Sequence, residues 1–132
     1  MDDSPIRFDD PAIDNVLAAR FDPEVADIVR LSARLCAIPG VTVPHEEADL
    51  DAVRRTHALA RDQAVASGLR VVEFEPDEAH PYPFLVVSFA EHDPESVDFT
   101  EAIGFIGHVD VVPPREADQF TPELRGRDLY AR

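Results

Sequence analysis

A chain of 132 residues, 45% of them hydrophobic and 30% charged, is long enough for one domain with a real core and too apolar for a disordered segment. Its net charge of -15, with 12 arginines and no lysine, argues against nucleic acid, which needs a basic surface, and against docking on anionic membranes. The single cysteine, Cys36, rules out an internal disulfide.

The acid excess reads first as a well-solvated surface. A sharper reading is adaptation to high salt, where screening weakens self-repulsion; melting curves run from low to molar salt would test it, and unchanged stability would refute it. No apolar run approaches the roughly 18 residues of a membrane span. The acidic start, Met1-Asp2-Asp3-Ser4, has no signal-peptide core. A cytoplasmic location is therefore expected.

Residues 1–20 read as an arm or short leading helix, with helical character around Pro11 to Ala19. A stronger helix is predicted from Pro23 to Ala37: Asp22 can cap it, Pro23 suits its first turn, and Glu24 complements the dipole. Val25, Ile28, Val29, Ser32, Leu35 and Cys36 fall on one stripe, which makes Cys36 a small core residue. Pro39-Gly40 ends the helix. After the linker Val41 to Pro44, a second helix is expected over about His45 to Ser67, with Leu50, Val53, His57, Ala60 and Ala64 along one side and Gly68 as its stop.

Two strands should follow, Leu69 to Glu75 and Phe84 to Ala90, and their short connection suits an antiparallel pair. An acidic loop then leads to Ile103-Gly104-Phe105-Ile106-Gly107-His108-Val109-Asp110-Val111-Val112, halted by Pro113-Pro114. Apolar residues occupy both alternating faces of this run. That is the pattern of a central strand covered on both sides, as in a parallel sheet. Its polar pair lies toward the C-terminal end, where open α/β sheets place ligands. A polar loop over Arg115 to Thr121 and a short hairpin around Gly126-Arg127-Asp128 complete the chain. The expected class is α/β with a mixed sheet.

His108 and Asp110 are two apart on this predicted strand and leave the same face. A neutral imidazole is a zinc ligand, and a neighbouring carboxylate can fix its tautomer. A bare His-x-Asp more often caps a strand end through local hydrogen bonds, and zinc needs at least three protein ligands. The other histidines, His45, His57, His80 and His92, have no spacing that pairs them; His57 reads as a hydrogen-bonded core residue, and His80 and His92 as solvated loop positions. Glu46-Glu47 reads as a dipole-friendly helix start rather than an acid/base dyad. Ser88 lacks the glycine-flanked elbow of a nucleophile. Gly104 and Gly107 do not make a phosphate loop.

The wider context carries more. Gly107-His108-Val109-Asp110-Val111-Val112-Pro113, then Phe120-Thr121-Pro122 and Gly126-Arg127-Asp128-Leu129-Tyr130-Ala131-Arg132, resembles the zinc-dependent exopeptidases and deacylases that include acetylornithine deacetylase, succinyl-diaminopimelate desuccinylase, carboxypeptidase G and aminoacylase. Leu35-Cys36-Ala37-Ile38-Pro39 and Gly68-Leu69-Arg70-Val71 are similar to the family's first-helix end and first-strand start. The resemblance runs from about Val25 to Arg132. It departs at Ala131, where the family has glycine, and in lacking a tryptophan before Phe120.

This resemblance implies the N-terminal part, residues 21–132, of a three-layer α/β/α catalytic domain with a mixed, mostly parallel sheet. It implies His108 as a zinc ligand and Asp110 as the catalytic-site aspartate that orients it. The complete protein would bind two zinc ions, although cobalt and manganese also suit a lone imidazole. A metal-bound water would hydrolyse the amide bond of a small peptide or N-acyl amino acid. The family's next motif, Gly-x-x-Asp-Met-Lys-Gly, would begin just after Arg132, and a homodimer would form through a domain outside these residues. The 132-residue chain alone is expected to be inactive. The competing expectation is a standalone, non-catalytic acidic α/β binding or regulatory module. A fragment should expose an apolar sheet edge, whereas a standalone module should not.

Overall fold

Three α-helices form among the described residues, and of these only the third is closed by a side-chain cap. A computed structural model describes residues 4–42, 49–78, 81–89, 91, 100 and 103–131. Helix α1 spans Ile13–Arg20, α2 Pro23–Cys36 and α3 Leu50–Ala66. Pro23 occupies the first turn of α2; its fixed φ suits that position and its missing N–H costs nothing there. In α3 the Asp49 carboxylate accepts a hydrogen bond from the Ala52 N–H at 2.8 Å, which satisfies one of the helix's orphan donors. Gly68, at φ +77°, turns the chain out of α3 through a conformation that a side chain would disfavour.

The described chain divides into two compact units, residues 4–39 with 111–131, and residues 40–110. The first unit carries a three-stranded antiparallel sheet, β1 (Ile6–Arg7), β4 (Glu123–Arg125) and β5 (Asp128–Tyr130), in the order β1-β4-β5. Gly126 at φ +59° opens the two-residue β4–β5 connection, and Arg127 stays outside the left-handed region, which is the pattern of a type II′ hairpin turn. Arg20 at the end of α1 donates to the Gly126 carbonyl at 2.7 Å and holds that turn. Leu17, Ala26 and Leu124 form the core, with Ile6, Phe8, Ile13, Val16, Phe21 and Val29 packed around them. Residues 4–20 thus supply a fully buried leucine to this unit.

Helix α2 is turned differently from the stripe read in its sequence. Ala26 and Ala33 are its buried residues, Val25 and Ile28 are exposed, and Cys36 is half-buried. The small alanines face inward, and Arg30 ties α2 to α1 by pairing with Asp14 at 2.9 Å while also meeting Asp27 at 2.7 Å. Burial raises the Cys36 thiol pKa, which keeps it protonated and unreactive.

The second unit holds α3 and the hairpin of β2 (Arg70–Phe74) and β3 (Phe84–Ser88). These strands pair antiparallel in full register from Arg70↔Ser88 to Phe74↔Phe84. The last pair stacks ring on ring, with centroids 4.5 Å apart and planes 5° from parallel. Ala52, Val53 and Thr56 are the buried face of α3, and Arg61 reaches across to Glu73 on β2 at 3.2 Å.

Both sheets are antiparallel, so the architecture is mixed α and β; the expected mostly parallel sheet and three-layer arrangement are not found among the described residues. The central strand expected over Ile103 to Val112 is not formed either. Residues 103–110 are not part of any strand, and Ile103, Phe105 and Ile106 are fully open to solvent. The physical reason is the want of a neighbour: among the described residues β2 pairs only with β3, and no strand lies alongside the run. Among the described residues no helix is long and apolar enough to cross a membrane.

Candidate functional site

The site is built where the linker ahead of α3 meets the end of the 103–110 run, within the second unit. The two predicted site residues are brought together. Nδ1 of His108 lies 3.2 Å from Oδ1 of Asp110 and 3.2 Å from the Asp110 main-chain oxygen. A carboxylate and a carbonyl are both acceptors, so a neutral ring here carries its proton on Nδ1 and donates it. The lone pair is then on Nε2. The imidazole side chain is 84% exposed, and that nitrogen is open to a ligand. This is the arrangement by which a metal-binding histidine is oriented.

Asp110 is anchored on its other side as well. The Thr42 hydroxyl donates to Asp110 Oδ2 at 2.7 Å, and the Tyr82 hydroxyl donates to the Thr42 carbonyl at 3.0 Å. The hydrogen bond from Thr42 is the chief cause that pulls the Asp110 pKa below the ordinary carboxylate range, with smaller help from its own backbone and from His108, against the opposing effect of desolvation. Asp110 is therefore ionised at neutral pH.

A cavity of about 270 Å³ lies beside the pair, lined by Thr42, Tyr82, His108 and Asp110 together with Val53 and His57 of α3. His57 is half-buried, and its Nδ1 is enclosed without a hydrogen-bond partner, in contrast to the hydrogen-bonded core histidine expected. Burial lowers its pKa, partly offset by the charges of Glu73 and Asp110, so the ring is neutral at neutral pH. Apolar side chains, Pro83 and Leu85 among them, also line it. His45, Glu46, Glu47, His80 and His92 lie outside the described residues.

Thr42 and Tyr82 are the members that sequence reasoning missed; it places His57 near the core but not in the site. Thr42 and Asp110 are 68 positions apart, with no periodicity linking them. Tyr82 lies in a turn-rich connection whose sequence carries no periodic signal. His57 was visible, and its spacing on the inner stripe of α3 was a true signal of proximity to the core.

Zinc asks for three or more ligands of these residue types, and the described residues hold no such group. The donor set present is one available imidazole nitrogen with its orienting carboxylate. That fits a single ligand of a metal centre and does not by itself fit a whole one.

No family model, characterised protein or solved structure matches the chain.

Proposed function

We propose that this chain is the N-terminal portion of the catalytic domain of a metal-dependent hydrolase that cleaves a peptide or N-acyl amino-acid amide bond. The observation that carries the reading is the His108–Asp110 pair: Nδ1 is held at 3.2 Å by the carboxylate, and Nε2 is left outward as a ligand atom. His108 would supply one ligand to a zinc centre, and Asp110 would set its orientation. The remaining ligands and the general base would come from outside the described residues.

The exposed run at Ile103, Phe105 and Ile106 supports the same reading. Three large apolar side chains in water within four residues are what a strand shows before its neighbours cover it. In the complete domain this run would be a central strand of a mostly parallel sheet within a three-layer α/β/α fold. The complete protein would act on a small peptide or acylated amino acid in the cytoplasm, and would pair with a second copy through a further domain.

The test is the coding sequence following Arg132. Gly-x-x-Asp-Met-Lys-Gly there would supply the next ligand segment, and its absence would refute the reading. In a protein extended through those residues, bound zinc measured by elemental analysis should fall when His108 is replaced by alanine. Unchanged stoichiometry would remove His108 from the centre.

A further inference from the structure

We propose that Thr42 is a positioning residue, whose hydroxyl locks the Asp110 carboxylate so that it holds His108 in the Nδ1–H tautomer with Nε2 turned outward. The proposal rests on the metal-ligand reading only for its purpose; the positioning itself stands on the geometry.

A carboxylate rotates easily about its last torsion, because sp³–sp² torsions are broad. A single contact from a mostly exposed imidazole would leave Asp110 free to swing, and the ring free to follow it. The two oxygens of Asp110 are instead divided between two donors. Oδ1 faces His108 Nδ1 at 3.2 Å, and Oδ2 accepts from Thr42 Oγ1 at 2.7 Å. An ionised carboxylate can only accept, so the threonine proton must point at Oδ2, and no other hydroxyl orientation competes.

The donor is itself fixed. Thr42 is buried, at 7% exposure. Its carbonyl accepts from the Tyr82 hydroxyl at 3.0 Å, and the carbonyl just before it, on Val41, accepts from the Asp49 N–H at 3.1 Å. The backbone under the hydroxyl is thus pinned from the hairpin side and from the cap of α3. A chain of contacts runs from Tyr82 through Thr42 and Asp110 to His108, and its only exposed end is the imidazole. A rigid inner end with one accessible nitrogen is how a ligand histidine is held ready.

The experiment is long-range proton–nitrogen correlation NMR of the histidine side chains in the metal-free 132-residue chain, at a pH where the imidazoles are neutral. The wild type should show His108 as the Nδ1–H tautomer, and Thr42→Ser, which keeps the hydroxyl, should match it. Thr42→Val, nearly the same shape without the hydroxyl, should weaken that signature and move part-way toward the tautomer mixture of free imidazole, since the Asp110 main-chain oxygen, also 3.2 Å from Nδ1, remains as an acceptor. A Thr42→Val spectrum identical to wild type would overturn the proposal. Tyr82→Phe keeps the Thr42 hydroxyl but removes one of the two contacts that pin its backbone. It should shift the tautomer in the same direction by a smaller amount, and it decides the matter should Thr42→Val fail to fold; no shift would overturn the proposal. Adding zinc to the wild-type chain separates the two readings. A His108 resonance that zinc leaves untouched counts against the metal reading, whereas the tautomer comparison is made without metal and judges Thr42 alone.

Discussion

Replacing Phe105 with serine should leave stability almost unchanged. A buried phenylalanine removes roughly 150–250 Å² from water, and truncating one in a core costs about 3–5 kcal/mol. Phe105 is 96% exposed. The covered remainder is on the order of 8 Å², which at about 25 cal/mol per Å² comes to about 0.2 kcal/mol. Val53→Ala, in the same unit, is the comparison: Val53 is 2% exposed, and losing two buried carbons costs about 1.5 kcal/mol before any cavity is counted. Urea titrations of the chain followed by far-ultraviolet circular dichroism would give both values from the shift in midpoint. A loss of more than about 2 kcal/mol for Phe105→Ser would place the ring in a core and refute the exposed arrangement of residues 103–110.

Three further outcomes follow from local geometry. Gly68→Ala should destabilise by about 1–2 kcal/mol, since a Cβ there meets nothing within 4 Å and the cost is the left-handed backbone alone; a neutral or stabilising result in the same titrations would contradict the positive φ. Asp49→Ala should cost about 1 kcal/mol through the lost cap, with faster amide exchange confined to the first turn of α3, and protection there equal to wild type would remove the cap from the account. Asp110 gives a pH dependence. Its pKa is depressed in the fold, so its stabilisation is complete above the ordinary carboxylate value and drains away as pH falls through the lower, folded value. The effect is small because the side chain is 42% exposed and solvent-screened. Unfolding midpoints between about pH 2 and pH 6 should fall more steeply for wild type than for Asp110→Asn; parallel curves would show that Asp110 does not titrate with folding.

The parts of the fold that were legible are those governed by neighbours in sequence. Pro23 placed the start of α2, although the Asp22 side chain makes no capping hydrogen bond there; Gly68 placed the end of α3, and Gly126-Arg127 the β4–β5 turn, because helix ends and turns are settled within a few residues. The β2–β3 pairing followed from a short connection between two β-rich runs. The inward face of α2 followed only in part: Val29 of the stripe packs against the core and Ser32, Leu35 and Cys36 are half-buried, whereas Val25 and Ile28 are exposed and the small alanines Ala26 and Ala33 make the close contacts. The run from Ile103 to Val112 failed for a different reason. An apolar pattern on both faces states what a segment needs on either side, and it carries no information on whether the described chain supplies it.

The same distinction explains the site. His108 and Asp110 lie two residues apart, so their contact is local and survives even though the strand predicted to present them is not formed. What gives the pair a fixed orientation is the hydroxyl of Thr42, held under it by Tyr82 and by the residue that caps α3. Those contacts span 68 and 40 positions, a range over which sequence patterning is silent. A metal-type His-x-Asp motif thus states which two side chains meet, and the fold decides whether the carboxylate is free or clamped. Here it is clamped by an uncharged donor, which leaves the negative charge of Asp110 intact toward His108. An arginine in place of Thr42 would hold the carboxylate as firmly while competing for that charge, and would weaken its pull on the imidazole proton. A buried hydroxyl on a pinned backbone fixes the geometry without doing so.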